Sequence, residues 1–487
     1  MGREDQIISE RLRKLEELKK KKINPYPNKY DKKQSVGECL NSKLKSRVKT
    51  AGRLMTKRDL GKIAFCNLRD FSGDIQIVFQ EGETQKSIFE FFKSYVDAGD
   101  IVGVEGEVIK TKTGQLSILV NKVEILSKSI LPLPEKWHGL QDEEEKLRKR
   151  YLDIIMNPEI KKVFETRAKI IDLIREYLKE NDFLEVEIPS LQTIYGGASA
   201  NPFTTHLNAL DIDLYLSISP ELHLKRLIVG GMDRVFTICK NFRNEGMDKY
   251  HNPEFTMLEF YYAYENYEKL MEMTEELFKK LIKELNLKNE IDYQGKKISF
   301  KFPIKRVKFR DLVLEKTGID IEKANNFEKL KTEIEKKKIK DIDIKHCKHY
   351  GALLDEFYKR VVRPSITQPI FLTHYPVEMI ALAKRNEKNP KIINTFQLIA
   401  CGAELCKAYD ELNDPLDQEN RLKEQAQLKK KGDSEAMPMD EDFIDALKIG
   451  MPPTAGYGLG IDRLTMFLTN QASVRDVILF PLMKPED

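Results

Sequence analysis

FRNEGMDKYHNPEFTMLEFYYAY, residues 242–264, opens with a polar loop and closes on a strand-like run over 254–262. Arg243 offers a planar guanidinium fork to phosphate or carboxylate oxygens, and nearby Glu245 can accept from an exocyclic amine. A surface Arg–Glu pair or a core phenylalanine is ordinary by itself; this ordered string is not. About two hundred residues downstream stands GYGLGIDRL, residues 456–464. Its glycines evoke a nucleotide loop, but no GK[ST] follows and the spacing is not that of a dinucleotide fingerprint.

Outward from these strings, residues 151–487 mix long helices, at 158–181 and 266–286, with strand-like runs at 213–218, 234–239, 254–262, 396–400 and 476–480. Strands and helices are not regularly interleaved, which predicts an α+β domain on an antiparallel sheet. A Lys-rich helical stretch near 305–365 reads as an insertion in it. Residues 46–128 carry five short β-rich runs, separated by turns such as SGD and KTG, and one helical segment near 85–97. That pattern predicts a five-stranded closed barrel of the oligonucleotide-binding (OB) type. Residues 129–150, with two prolines and DEEEKLRKR, read as a linker. Residues 1–45 form a basic helical extension, in which Ile8, Leu12, Leu15 and Leu18 mark one apolar stripe before NPYPN ends the helix.

A length of 487 residues calls for two or more domains. No window approaches a membrane span of roughly 18 apolar residues, the N-terminus lacks a signal-peptide core, and Gln6 stands where a myristoylation signal has Ser or Thr. A cytoplasmic protein without a membrane partner is expected. The six cysteines contain no CxxC pair; His346, Cys347 and His349 lie together but lack a second half at zinc spacing. The first 60 residues hold 18 Lys and Arg against 8 Asp and Glu, so the positive field sits at one end, where it suits a polyanion. A solvated helix face is the competing explanation of that charge.

With these strings in view, the whole chain resembles the class II lysyl-tRNA synthetases. NDFLEVEIPSL, residues 181–191, matches the first class motif, whose strand before Pro189 pairs across a homodimer interface; FRNEG and its loop match the second, and GYGLGIDRL the third, in which glycines open a helix. The resemblance implies ATP, L-lysine and tRNA-Lys as partners and Mg2+ as cofactor. It gives Arg243 and Arg463 the catalytic roles, Arg243 gripping the α-phosphate and the lysine carboxylate, and Arg463 covering adenine and γ-phosphate. It places Glu245 on the adenine amino group, Phe255 against the ring, and His251 and Asn252 in the same loop. Around the amino acid it sets Gly197, Glu221, Glu259, Tyr261, Lys407, Tyr409 and Glu411. Buried charge must be neutralised, so three carboxylates in one pocket call for a ligand with two ammonium groups, which is lysine. Phe65 and Gln76 of the barrel are implied as readers of anticodon uridines by stacking and hydrogen bonding, with Arg58 on the same face.

Four positions depart from the family pattern. Lys407 stands where Asn is usual. Gln397 replaces the second magnesium-binding Glu and leaves Glu404 as the surer ligand. Asn201 replaces Arg, and Gln115, on the anticodon side, replaces Glu. The implied chemistry has no covalent enzyme intermediate and needs positioning and charge stabilisation rather than a general base. Two other readings stand beside it: an RNA-binding paralogue whose chemistry the changes at 407 and 397 have weakened, and a lysyltransferase acting on protein.

Overall fold

The computed structural model describes residues 2–134, 142–340, 342–344, 347–433 and 435–486, which divide into two compact units, Met1–Gln141 and Asp142–Asp487. In the first, β1 (Arg47–Asp59), β2 (Ile63–Asp70), β3 (Gly73–Gln80), β4 (Ile101–Lys110) and β5 (Leu116–Ser127) close into a barrel in the order β1-β2-β3-β5-β4. Strict alternation sorts the side chains: Ala64, Cys66 and Leu68 of β2 enter the core, while Phe65, Asn67 and Arg69 stay partly exposed. Helix Lys86–Tyr95 connects β3 to β4 and stacks Phe92 on Phe79 with centroids 3.9 Å apart. The N-terminal helix, Arg3–Lys20, buries Leu15 and Leu18, but Leu12 is 46% exposed. Arg11 takes its place against the barrel, donating to the carbonyls of Ala98 (2.7 Å), Leu131 (2.8 Å) and Ser129 (3.2 Å).

The second unit opens within the run read as a linker, where Asp142 caps helix Glu143–Arg148 and helix Arg150–Met156 follows. After helix Ile160–Glu180 and β6 (Leu184–Glu185), strands β7 (Leu191–Gln192), β8 (Thr204–Leu207) and β9 (Ile212–Leu216) form a small sheet. The main strands are β10 (Arg234–Phe242) and β11 (Glu254–Ala263). Hairpin β12 (Glu290–Tyr293) and β13 (Lys296–Ser299) precedes β14 (Lys305–Lys308), β15 (Ile370–Thr373), β16 (Thr395–Ala400), β17 (Ala403–Asp410) and β18 (Thr454–Gly460). Eight of these make one sheet in the order β14-β15-β16-β17-β18-β11-β10-β6, antiparallel except at its two edge pairs. Helices Ile160–Glu180, Tyr267–Glu284 and Ile461–Leu468 pack one face through Ile170, Leu270, Phe278 and Leu464. Between β14 and β15, helices Phe309–Thr317, Phe327–Lys336 and Tyr350–Phe357 enclose a separate core with Leu330 and Leu353.

One predicted strand is absent. Residues 474–477 form a 3-10 turn capped by Ser473, and Leu479 and Phe480, 43% and 73% exposed, pair with no strand among the described residues. The apolar run there serves a surface, not the sheet.

Candidate active site

The face of the large sheet opposite helices Ile160–Glu180, Tyr267–Glu284 and Ile461–Leu468 is floored by backbone, and helix Glu221–Val229 packs over one end of it. Gly456, Gly458 and Gly460 alternate along β18 and all face this side, opposite Tyr261, Glu259 and Met257 of β11. A Cβ at Gly456 would lie 2.0 Å from Glu411 Oε1, and one at Gly458 would lie 2.6 Å from Met257 Cε. The glycines therefore do more than open helix Ile461–Leu468; the strand must be bare for the neighbouring side chains to lie over it. On the other flank, Lys407 and Tyr409 of β17 sit opposite Gly458 and Gly456. The β16–β17 ladder shifts register between Leu398 and Ile399, so Leu405 and Cys406 both enter the core. The extra residue brings Glu404 to the same face as Lys407, which strict alternation would forbid.

At one end the site is acidic. Glu221 begins helix Glu221–Val229, Glu259 comes from β11, and Glu411 follows β17; the three residues are 4%, 4% and 1% exposed. Tyr409 donates to both oxygens of Glu221 (2.9 and 2.8 Å), and Ser219 (2.9 Å) and Tyr261 (3.2 Å) donate to Glu259. Between Glu221 and Glu411 lies Lys225, wholly buried, 2.7 Å from Glu221 Oε1 and ion-paired with Glu411 Oε2. Burial works against its charge, yet the two carboxylates together raise its pKa above the usual lysine value. Burial first and the Glu221 charge second push Glu259 up to about 8. Glu411 Oε1 is buried without a hydrogen-bond partner. Gly197 (φ 83°) closes this end by backbone alone: a Cβ there would meet Glu221 Cβ at 2.9 Å.

The other end is cationic. Arg243 lies over the Phe255 ring at 5.0 Å and donates to the Ile218 carbonyl at 3.3 Å. Arg463 donates to the Tyr250 carbonyl (3.3 Å) and lies 2.9 Å from His251 Nε2, while His251 Nδ1 is 2.8 Å from Asp248. Burial, then Arg463, lowers the His251 pKa; the neutral imidazole donates to Asp248 and accepts from Arg463. Asn252 is fixed by donating to the Glu254 carbonyl at 2.6 Å, whereas Glu245 stands exposed. Asp462 ties the two strings together: it accepts from the Thr256 N–H (2.9 Å) and pairs with Arg167 (2.5 Å). Gln397 faces Lys407 across β16–β17, and its Oε1 accepts from Tyr375 (2.6 Å) and Tyr358 (3.3 Å). At Asn201 the backbone carbonyl accepts from Asn244 N–H at 2.8 Å, a contact independent of side chain.

The structure thus brings together the predicted residues of the second unit. Lys225 and Ser219 belong with them but escape sequence reasoning, because a lysine four residues after a glutamate usually marks a solvated helix pair. In the barrel unit, Arg58 of β1 faces Phe65 of β2, and Asn67 faces Gln76 of β3, all on the outer surface. Gln76 donates to Gln115 (3.1 Å) and accepts from Ser117 (2.8 Å). Elsewhere, His349 caps helix Tyr350–Phe357, Cys347 donates to the Asp343 carbonyl, and His346 lies outside the described residues. The six cysteines are free, and no cluster of three or more His, Cys, Asp and Glu suited to a metal occurs among the described residues.

Residues 142–484 match the model of the class II tRNA synthetases for D, K and N. The chain belongs to the class II tRNA synthetases. Residues 48–126 of this synthetase match the OB-fold nucleic acid binding domain. Among its curated relatives, a lysine–tRNA ligase of Pelotomaculum thermopropionicum is 45% identical across 100% of this chain and 97% of its own. Lysine–tRNA ligases of Carboxydothermus hydrogenoformans (45%, covering 99% of each chain) and Fervidobacterium nodosum (46%, covering 98% and 94%) resemble the synthetase equally. No described helix is long and apolar enough to cross a membrane.

Proposed function

We propose that this class II synthetase activates L-lysine with ATP and esterifies it to the 3′ end of tRNA-Lys. The observation that carries this reading is the charge of the acidic end: three buried carboxylates and one buried lysine leave two negative charges once Glu259 gives up its proton as an ammonium group arrives, and the two ammonium groups of lysine neutralise them. Glu411 Oε1, the unpartnered acceptor, is suited to one of those groups. Ornithine and arginine share the sign but not the length or shape. An aspartate side chain would meet only like charge.

The lysine carboxylate attacks the α-phosphorus of ATP, the bond to pyrophosphate breaks, and lysyl-adenylate forms. The terminal tRNA hydroxyl then attacks the adenylate carbonyl, and AMP leaves. Arg243, at the boundary of the two ends, holds the carboxylate and the α-phosphate and spreads the charge developing between them. Lys407 flanks the same carboxylate. Phe255 and Arg463 enclose adenine, Glu245 reads its amino group, and His251 and Asn252 shape the loop; the neutral His251 keeps the Arg463 fork turned toward the site. Glu259, Tyr261, Tyr409, Glu221 and Gly197 enclose the amino acid, and Lys225 holds Glu221 and Glu411 in place. Arg58, Phe65, Gln76 and Gln115 offer an outer face of stacking and amide groups to unpaired anticodon bases.

Mg2+ enters this reading as the companion of ATP. Glu404 and Gln397 do not fit a resident ion, since one brings a single carboxylate, the other has its oxygen occupied by two tyrosine hydroxyls, and a lysine stands opposite. A cytoplasmic homodimer completes the proposal; exposed Leu184, Leu191 and Phe480 give the second unit apolar surface to cover.

Retention of Arg243, Glu245 and Arg463 weighs against a silent RNA-binding paralogue, and the barrel weighs against a protein lysyltransferase. Pyrophosphate exchange into ATP, measured with each of the twenty amino acids, tests the reading. Exchange with lysine alone is expected; exchange with another amino acid, or with none, would overturn it.

A further inference from the structure

The cationic end holds four cations that no described carboxylate meets at ion-pair distance. Arg243, Arg363, Arg463 and Lys407 form no ion pair among the described residues. Carboxylates act on them only from a distance: Glu404 on all but Arg363, with Glu245 and Glu259 on Arg243, Asp355 and Glu221 on Lys407, and Asp248 and Asp462 on Arg463, while Arg363 interacts with Arg463 and with Lys359. All four are half-buried, and a cation partly removed from water without a close counter-ion is costly, so this end is organised for an anion that arrives from outside.

Three features show that this arrangement of cations is built in. Lys407 lies between Gln397 and bare Gly458, so its side chain rises over the floor with no neighbour on β18 to displace it. Lys359 and Arg363 come from a π-helical turn, Tyr358–Val362, and the 3-10 turn after it. Tyr358 fastens that turn to Gln397, the residue facing Lys407. Lys359 is neutralised by Asp355 at 2.6 Å, whereas Arg363, one turn on, is not. Gln397 gives its oxygen to the two tyrosines, so the donor end of its amide is the group left for a ligand. Around Glu404, a position with one negative charge is flanked by an amide and by cations where a metal site would place further acids.

We propose that Lys407 and Arg363 are fixed cations that contact the triphosphate and take over the charge of one divalent ion, so that this synthetase binds nucleoside triphosphate in the absence of metal and needs fewer metal ions for turnover. The inference rests on the reading of ATP as substrate. It assigns the changes at 407 and 397 one joint role: a neutral residue becomes a cation on one strand while an acid becomes neutral on the strand beside it.

Calorimetry of the full-length protein with α,β-methylene-ATP, in EDTA and in excess Mg2+, tests the proposal. The wild type is expected to bind in EDTA within about tenfold of its Mg2+ affinity. Lys407→Asn, and independently Arg363→Ala, should weaken binding in EDTA by about 10- to 100-fold, the loss of one charge-assisted contact, and recover most of it in Mg2+. Lysine-dependent exchange by the Gln397→Glu/Lys407→Asn double variant should rise more steeply with Mg2+ than that of the wild type. Binding in Mg2+ but not in EDTA by the wild type would overturn the proposal, as would variants that lose affinity equally in both. Binding in neither condition would overturn the ATP reading beneath it.

Discussion

The two ends of the site treat charge in opposite ways. At the acidic end each carboxylate is met from within the protein: Glu221 by Lys225 and Tyr409, Glu259 by Ser219 and Tyr261, Glu411 by Lys225. One buried oxygen, Glu411 Oε1, lacks a hydrogen-bond partner. At the cationic end the guanidinium groups rest on carbonyls and a histidine, and the counter-charge comes with the ligand. The first arrangement is rigid before binding and reads one small molecule by length and charge. The second is completed by its ligand, as suits a polyanion whose far end departs during the reaction.

The sharpest break in that comparison is Glu411→Gln. It should lower kcat/KM for lysine by about 100- to 1,000-fold, the loss of a buried charge pair, and leave the KM for ATP nearly unchanged. Equal changes in both parameters would show that the ends are not separate. Next in size is Phe65→Ala with Gln76→Ala, expected to reduce tRNA charging by about 10- to 100-fold through lost stacking and hydrogen bonds while sparing pyrophosphate exchange. Loss of exchange as well would dissolve the division between barrel and site. Lys225→Met leaves two buried carboxylates without their cation, so thermal unfolding should show a loss of about 3 kcal/mol and the KM for lysine should rise about tenfold. Lys225→Arg should restore part of both.

The smallest effect concerns pH. Glu259 titrates at about 8 in the folded chain against an ordinary 4.5, so the folded state holds an extra proton between those values, and this group makes folding less favourable as pH rises through that window. An ammonium group seated beside it favours the ionised form. Lysine binding at pH 7 should therefore release a proton, seen as a dependence of calorimetric heat on buffer ionisation. The kcat/KM for lysine should rise about fivefold between pH 7 and 8. Lysine binding without proton release would remove Glu259 from contact with an ammonium group.

The barrel was legible because alternation and Gly-containing turns mark strands that bury one face, and β10 and β11 because their runs are rich in β-branched and aromatic residues. Strands β17 and β18 were not read: Glu404 to Asp410 is half polar, and glycines at 456, 458 and 460 erase the apolar pattern of a strand whose sheet position is central. The run at 476–480 misled for the converse reason, since Val477, Ile478, Leu479 and Phe480 carry strand composition without a partner strand. Within the site, the chemical types and their grouping were readable from the motifs, but neither the shift at Leu405 that turns Glu404 upward nor the burial of Lys225 was. The burial of Lys225 depends on Glu411, far along the chain, and the shift, though it lies between two consecutive strands, leaves no mark in composition.

The glycine strand has a thermodynamic consequence. Where other pockets are floored by side chains that must settle into one rotamer when a ligand arrives, the floor under Glu411, Tyr261 and Lys407 is peptide backbone already held by ladders on both sides. No torsional freedom is left there to lose, so the ordering entropy of binding falls on the ligand and the walls alone.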